Sequence, residues 1–425
     1  MRIGDRAGTG EVIGLRGERP RRSGVDAVHE TIGTPHGRFS SNPLVWPLIA
    51  AATATDAAAS YLNDVALAFM GEGAGRKALP EPRWATPNRT VLDLKTVRLR
   101  DFSTASDGVA MLVCAPFALH GATIADFAPG HSLVEALRNG GLERVLVTDW
   151  QSAGADMRFL SIDDYLADLN VAVDELGPPV DLVGLCQGGW LALLYAARFP
   201  GKVRRLVLAG APVDTHAGHS ALSRLAADLP LAAFAEIVRL GDGLVVGDRM
   251  LKLWGPTLAA DDIGHTLQIS PDAEAGRRAE LERRFRIWYD WTVDLPGTYY
   301  LQVISWLFKE NRIAEGRFVA LGRVIDLARV ENPLFLLAAR DDELVSPPQL
   351  LATARLVGTS PDQIMTAVEP CGHLGLFLGA GTLGGAWSKV ARWLRGDLAP
   401  HFSGENPAGL DAPAPGSPPA AALLI

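Results

Sequence analysis

Cysteine is scarce in this chain: Cys114, Cys186 and Cys371 are the three among 425 residues. An odd, sparse count does not build a disulfide framework, and the sequence points to a reducing, cytoplasmic setting. Long apolar runs are missing as well. No stretch of about 18 uninterrupted apolar residues occurs, so no transmembrane helix is expected. The nearest approach, Asn42 to Met70, is broken by Asp56 and Asp64 and reads as an Ala-rich amphipathic helix or helix pair packed on the core. The opening MRIGDRAGTGEVIGLRG has no apolar centre, which excludes a secretory signal. Positive charge is in deficit: 40 Lys and Arg face 48 Asp and Glu, for a net charge of −8. That argues against nucleic acid as a partner, because phosphate binding needs clustered Lys and Arg. Metal-ligand spacing and a nucleotide fingerprint are also missing. GDGLVVGDRM is glycine-rich but lacks the strand–turn–helix setting of a phosphate loop, so neither a metal nor a cofactor is expected.

What the chain has in abundance is apolar sequence, 48% of its residues, enough for a sizeable core. Short apolar runs at 109–116, 144–150, 180–185, 203–212, 333–340 and 363–370 read as strands buried on both faces, and 91–102 alternates like an edge strand. Helical patterns separate several of them, which implies an α/β fold with a mostly parallel, doubly wound sheet. From Asp214 to Asp326 the alternation stops and a helical, aromatic-rich segment takes its place. This reads as a helical cap inserted late in the sheet; a separate helical domain is the alternative. The expected organisation is an N-terminal extension over 1–85, partly helical, a core over 86–213 and 327–400, the cap over 214–326, and a disordered Pro/Ala-rich tail over 401–425.

One motif carries the chemistry. In VDLVGLCQGGW an apolar run ends at Gly184, a thiol stands at Cys186, and a helical pattern begins. Gly-x-Cys-x-Gly has the form of a nucleophile elbow with cysteine in the place of serine. The turn is strained, so positions two before and two after the nucleophile must be small, as Gly184 and Gly188 are. The elbow aims the backbone N–H of Gln187 at a reacting oxygen, at a helix N-terminus. An acid and a histidine should follow in that chain order. RDDEL follows the run PLFLLAA and offers Asp341 and Asp342; Asp342 is preferred because Leu344 and Val345 then return to the core. His373 follows the last strand candidate in a glycine-flanked loop, whereas the other eight histidines lie in turns, in the cap or near the ends. Cys371 reads as a small packing residue. A second oxyanion donor should come from the loop after MLVCAP; Pro116 has no N–H, leaving Phe117, the preferred candidate, or Ala118.

With these residues placed, the chain resembles the polyhydroxyalkanoate (poly-3-hydroxybutyrate) synthases, particularly the catalytic subunit of the two-subunit type. The similar stretches run in order from TPNRTVLDLKTVRL through VLVTDWQ, DDYLADL, LVGLCQGGWLALLYAARFP and WLFKENRIAEGRF to LAARDDELVSPP and GHLGLF, over roughly 86–397. The resemblance implies an α/β-hydrolase core under a cap and a triad of Cys186, Asp342 and His373. It implies polymerisation of 3-hydroxyacyl-coenzyme A through a cysteine acyl-enzyme, with coenzyme A as leaving group. A polyester granule surface, a homodimer or an accessory subunit are the implied partners. Three features depart from the family pattern: Trp190 after the glycine pair, Ser346 before Pro347, and the N-terminal extension. Trp190 either narrows the site or packs the elbow helix. A cysteine hydrolase (an intracellular polyester depolymerase or a thioesterase) is the first alternative, since it differs only in using water as acceptor. A non-catalytic granule-associated homologue is the second.

Overall fold

The apolar runs gather into one eight-stranded sheet. Its strands are β1 (Arg89–Asp93), β2 (Val97–Asp101), β3 (Met111–Cys114), β4 (Val145–Trp150), β5 (Val180–Leu185), β6 (Val203–Ala209), β7 (Leu334–Ala339) and β8 (Ile364–Glu369). The computed structural model describes residues 79–398 apart from 255–259. The helices expected within 42–70, the rest of the N-terminal extension before 79 and the tail over 401–425 lie outside the described residues. Spatial order is β1-β2-β4-β3-β5-β6-β7-β8. The strand β2 runs antiparallel to both neighbours, and the remaining pairs are parallel.

Two strands differ from the sequence expectation. The stretch 91–102 is not one strand but the hairpin of β1 and β2, closed by Leu94 N donating to Val97 O at 2.9 Å. The Lys-Thr pair at 95–96 is where the chain turns. The run at 363–370 forms β8 at the sheet edge, where one face meets solvent, so its residues are not buried throughout. By contrast, every residue of β3, β5 and β7 is buried, as strands covered by helices on both faces must be. Each large apolar side chain so buried contributes about 1.5–3 kcal/mol.

Helices cover the sheet. They include α1 (Leu133–Asn139), α2 (Ile162–Leu176) and α3 (Gln187–Arg198). Helix α2 starts where Ser161 and Asp164 bond one another at 2.7 Å and ends at Gly177 in the left-handed region. Its Ile162, Tyr165, Leu166, Leu169 and Val173 face the core at helical spacing. After β6 comes α4 (Ala221–Asp228), α5 (Leu231–Leu240), α6 (Gly247–Trp254), α7 (Ala260–Leu267), α8 (Ala275–Asp290) and α9 (Gly297–Gln302), the last continuing into a π-helical turn over Val303–Lys309. This segment and the sheet lie in one compact unit. Main-chain bonds tie them together: Val293 N donates to Leu119 O at 3.0 Å, and Ala153 N to Asp294 O at 2.9 Å. Ser346 opens the short helix Pro347–Leu351, its N–H donating to Gln349 Oε1 at 3.2 Å, which gives that departure a local reason.

Parallel register brings the carboxyl ends of β3, β5, β6 and β7 level. Cys114 pairs with Gly184, Leu185 with Ala209, and Ala209 with Leu337. The residues that follow these strands therefore emerge along one edge, where open α/β sheets hold their sites.

Candidate active site

Directly after β5 the chain turns at Cys186, with φ 48° and ψ −117°. A non-glycine residue held there costs on the order of 1–3 kcal/mol, a strain that surrounding structure must sustain. The packing does so. A Cβ on Gly184 would stand 2.5 Å from Gly189 Cα, and one on Gly188 would stand 2.1 Å from Cys114 O. Neither position has room for a side chain. Cys186 N donates to Ala209 O and Gly189 N to Cys186 O, both at 2.8 Å. The thiol is buried at the N-terminus of α3, where Gln187 supplies the first backbone N–H of the helix, one without an intrahelical acceptor.

Trp190 lies within that helix and is fully buried. Its Nε1 donates to Gln187 Oε1 at 2.5 Å, and its ring stacks on Tyr299 at 6.5 Å between centroids. Of the two roles open to it, packing the elbow helix is the one its position fits.

Of the two neighbouring aspartates, Asp342 turns inward. Its Oδ1 accepts from the N–H groups of Leu344 and Val345, each at 2.9 Å, and its Oδ2 meets His373 Nδ1 at 2.6 Å. Asp341 is exposed and pairs with Arg340 at 3.0 Å. A carboxylate only accepts, so Nδ1 of His373 carries the hydrogen and Nε2 is left as the ring's second site. Burial works against a charge on that ring. The Asp342 carboxylate, the Cys186 sulfur and hydrogen bonds to both outweigh it, and His373 is held well above the ordinary histidine range.

Cys186 and His373 face one cavity, together with Pro116, Ala118, His120, Ile124 and Trp288. It offers about 20 Å³ to the centre of a water-sized sphere, room for about one water. Trp288 also borders a larger hollow of about 330 Å³ that includes Arg83, Arg283 and Arg284. The loop over the cavity is pinned from behind: Ala115 N donates to Thr148 Oγ1 at 3.0 Å and Ala115 O accepts from Trp150 Nε1 at 2.9 Å. Both partners belong to the VLVTDW strand. Within the loop, Phe117 turns its ring away, stacked on Tyr165 at 4.6 Å, while Ala118 lines the cavity. The Phe117 expectation thus rests on its main-chain N–H alone.

The remaining thiols stand apart from this chemistry. Burial pushes Cys114 up to about 12, and Cys371, beside Thr382 Oγ1 at 3.8 Å, up to about 11. One cavity residue escaped the sequence reading. His120, counted among histidines in turns, lies across the cavity from the elbow, between Trp288 and Tyr289 at 4.6 and 5.2 Å between ring centroids. The signal for it is its place six residues beyond β3, in the loop expected to carry the second oxyanion donor.

Comparison with known proteins agrees with this architecture. Residues 132–380 match the model of the alpha/beta hydrolase fold family. The chain is 29% identical to the poly(3-hydroxyalkanoate) polymerase subunit PhaC of Synechocystis sp., over 63% of this chain and 73% of that protein. It is 24% identical to the subunit of the same name from Haloferax mediterranei, over 72% of this chain and 63% of that protein. Among solved structures, a meta-cleavage product hydrolase from Pseudomonas fluorescens is 17% identical, with a TM-score of 0.43, over 71% of this chain and 96% of that one. The resemblance to polyhydroxyalkanoate synthases is borne out by the curated relatives. The chain belongs to the α/β-hydrolase fold family.

Proposed function

We propose that this α/β-hydrolase fold protein is an acyltransferase that polymerises 3-hydroxyacyl thioesters of coenzyme A through an acyl group carried on Cys186. The observation that carries the reading is the elbow thiol sharing one cavity with His373, which is bonded to Asp342. The similarity to poly(3-hydroxyalkanoate) polymerase subunits supports a hydroxyacyl substrate.

In the first half-reaction His373 takes the thiol proton and the Cys186 sulfur attacks the thioester carbonyl carbon. The oxygen becomes negative and is met by the Gln187 N–H and by the N–H of Phe117 or Ala118. The carbon–sulfur bond to coenzyme A breaks, and His373 returns its proton to the departing thiolate. One thioester has replaced another. In the second half-reaction His373 takes the proton of a 3-hydroxyl on another hydroxyacyl unit, whose oxygen attacks the acyl carbon. An ester forms, and the Cys186 sulfur leaves and recovers the proton. Asp342 holds the ring and offsets its charge in both halves. Water is the competing acceptor, and its exclusion decides between transfer and hydrolysis.

The test is purified protein supplied with 3-hydroxybutyryl-coenzyme A, with polymer, free coenzyme A and free acid measured together. Polymer with coenzyme A release in excess of free acid is expected. Free acid in step with coenzyme A, without polymer, would convert the reading to a hydrolase. No coenzyme A release at all would leave only the non-catalytic alternative.

A further inference from the structure

The cavity beside Cys186 contains a polar group that the reaction above does not use. His120 is 5% exposed; the Trp291 main chain is close enough to one ring nitrogen to bond it weakly, and the other has no hydrogen-bond partner among the described residues. Leaving a buried polar atom unpaired costs about 1–3 kcal/mol, and such unpaired groups call for an explanation. The ring's position is enforced. His120 is bridged along the main chain to Thr292, Leu119 O accepts from Val293 N, and the imidazole is held between two aromatic rings. It is neutral as well as fixed. Burial pushes its pKa down to about 4, the Trp291 main chain opposing this only in part. A neutral imidazole presents one N–H and one lone pair on separate ring nitrogens, and a hydroxyl group, being both donor and acceptor, can meet whichever of the two is open. Its neighbours Pro116, Ala118, Gly121, Ile124 and Leu374 bring no polar side chain to the cavity, Cys186 and His373 are occupied with proton and acyl transfer, and the Trp288 indole adds one further unpaired N–H.

We propose that His120 is a specificity residue: its imidazole hydrogen-bonds the 3-hydroxyl oxygen of the acyl group carried by Cys186, and so selects acyl chains that bear oxygen at that position over plain fatty acyl chains. The inference rests on the acyl-enzyme reading above and names a residue for it. A site built around a hydroxyl discriminates against the analogue lacking it because its own buried polar group is then left unpaired.

The experiment compares 3-hydroxybutyryl-coenzyme A with butyryl-coenzyme A as acyl donors in single-turnover mixing, with the acylated protein followed by intact mass. Wild-type protein is expected to acylate roughly tenfold faster or more with the hydroxylated donor. His120→Phe brings that ratio toward one by slowing the hydroxylated donor more than the plain one, and His120→Gln recovers part of it. Equal rates in wild-type protein overturn the inference and leave the acyl-enzyme reading standing. An unchanged ratio in a folded His120→Phe protein overturns it too, as does an equal loss with both donors, which is what a purely structural role for the ring produces. Failure of wild-type protein to acylate with either donor overturns the acyl-enzyme reading and this inference with it. Should His120→Phe not fold, the wild-type ratio and the His120→Gln ratio decide.

Discussion

Cys186, His373 and Asp342 follow strand ends, with His373 bonded to each of the other two, whereas His120 and Trp288, lining the same cavity, have polar atoms that meet no partner among the described residues. One wall is a closed set of charge-assisted contacts, and the other is an apolar shell with two open polar positions. The two histidines show the contrast most directly. Both are buried, yet His373 is held well above the ordinary range, against its burial, by the Asp342 carboxylate and the Cys186 sulfur, and burial pushes His120 down to about 4. Burial alone moves a histidine downward, and only a fixed anionic neighbour reverses it. The strand-end wall therefore favours a charged imidazole, and the facing wall a neutral one.

The largest break in this comparison should come from Cys186→Ala. It is expected to lower acyl transfer by about 10⁴-fold or more with little change in melting temperature, measured by coenzyme A release. Unchanged turnover would remove the strand-end wall from the chemistry altogether. Asp342→Asn follows, with an expected loss of about 10³–10⁴-fold, because the amide disturbs the tautomer His373 needs. Asp341→Asn, one residue away but exposed, should stay within about twofold. Comparable losses for both would discredit the pairing of Asp342 with His373.

The pH dependence of stability separates the two histidines. A pKa raised in the folded state, as at His373, contributes stability that is present below about 6.5 and is lost as pH rises through the folded value. A lowered one, as at His120, contributes stability present above about 6.5 and lost as pH falls toward 4. A span of that size corresponds to at most roughly 3 kcal/mol. Urea unfolding between pH 6.5 and 4 should therefore fall less steeply for His120→Phe than for wild-type protein; identical slopes would mean His120 is not held neutral. The smallest effect concerns Trp190→Phe, which removes the indole donor to Gln187. It is expected to cost about 1–3 kcal/mol of stability, because the Gln187 amide oxygen is left buried without its partner. Product ratios should not change, since Trp190 lies outside the cavity; a shift toward free acid would give Trp190 a part in choosing the acceptor.

Local pattern made much of this legible. Fully buried strands leave continuous apolar runs, so β3, β5 and β7 are plain in the sequence. The elbow glycines are plain too, because a strained turn against β3 tolerates no side chain at 184 or 188. Asp342 could be preferred over Asp341 because Leu344 and Val345 follow it inward, and the carboxylate caps those same two N–H groups. The hairpin of β1 and β2 was hidden, since its turn at Lys95 and Thr96 has no glycine or proline to mark it.

By itself, the sequence determined the strand–helix alternation and the thiol on a tight turn, because each is set by neighbours within a few residues. Tertiary structure decided what lies opposite the thiol. The segment 292–293 pairs with the loop at 119–120, and helix α8 brings Trp288 and Tyr289 against His120. Those contacts join residues some 170 positions apart by sequence numbering, and no local periodicity carries that information. A histidine in a loop looks the same in sequence whether it meets water or two aromatic rings; burial between those rings is what keeps this one neutral.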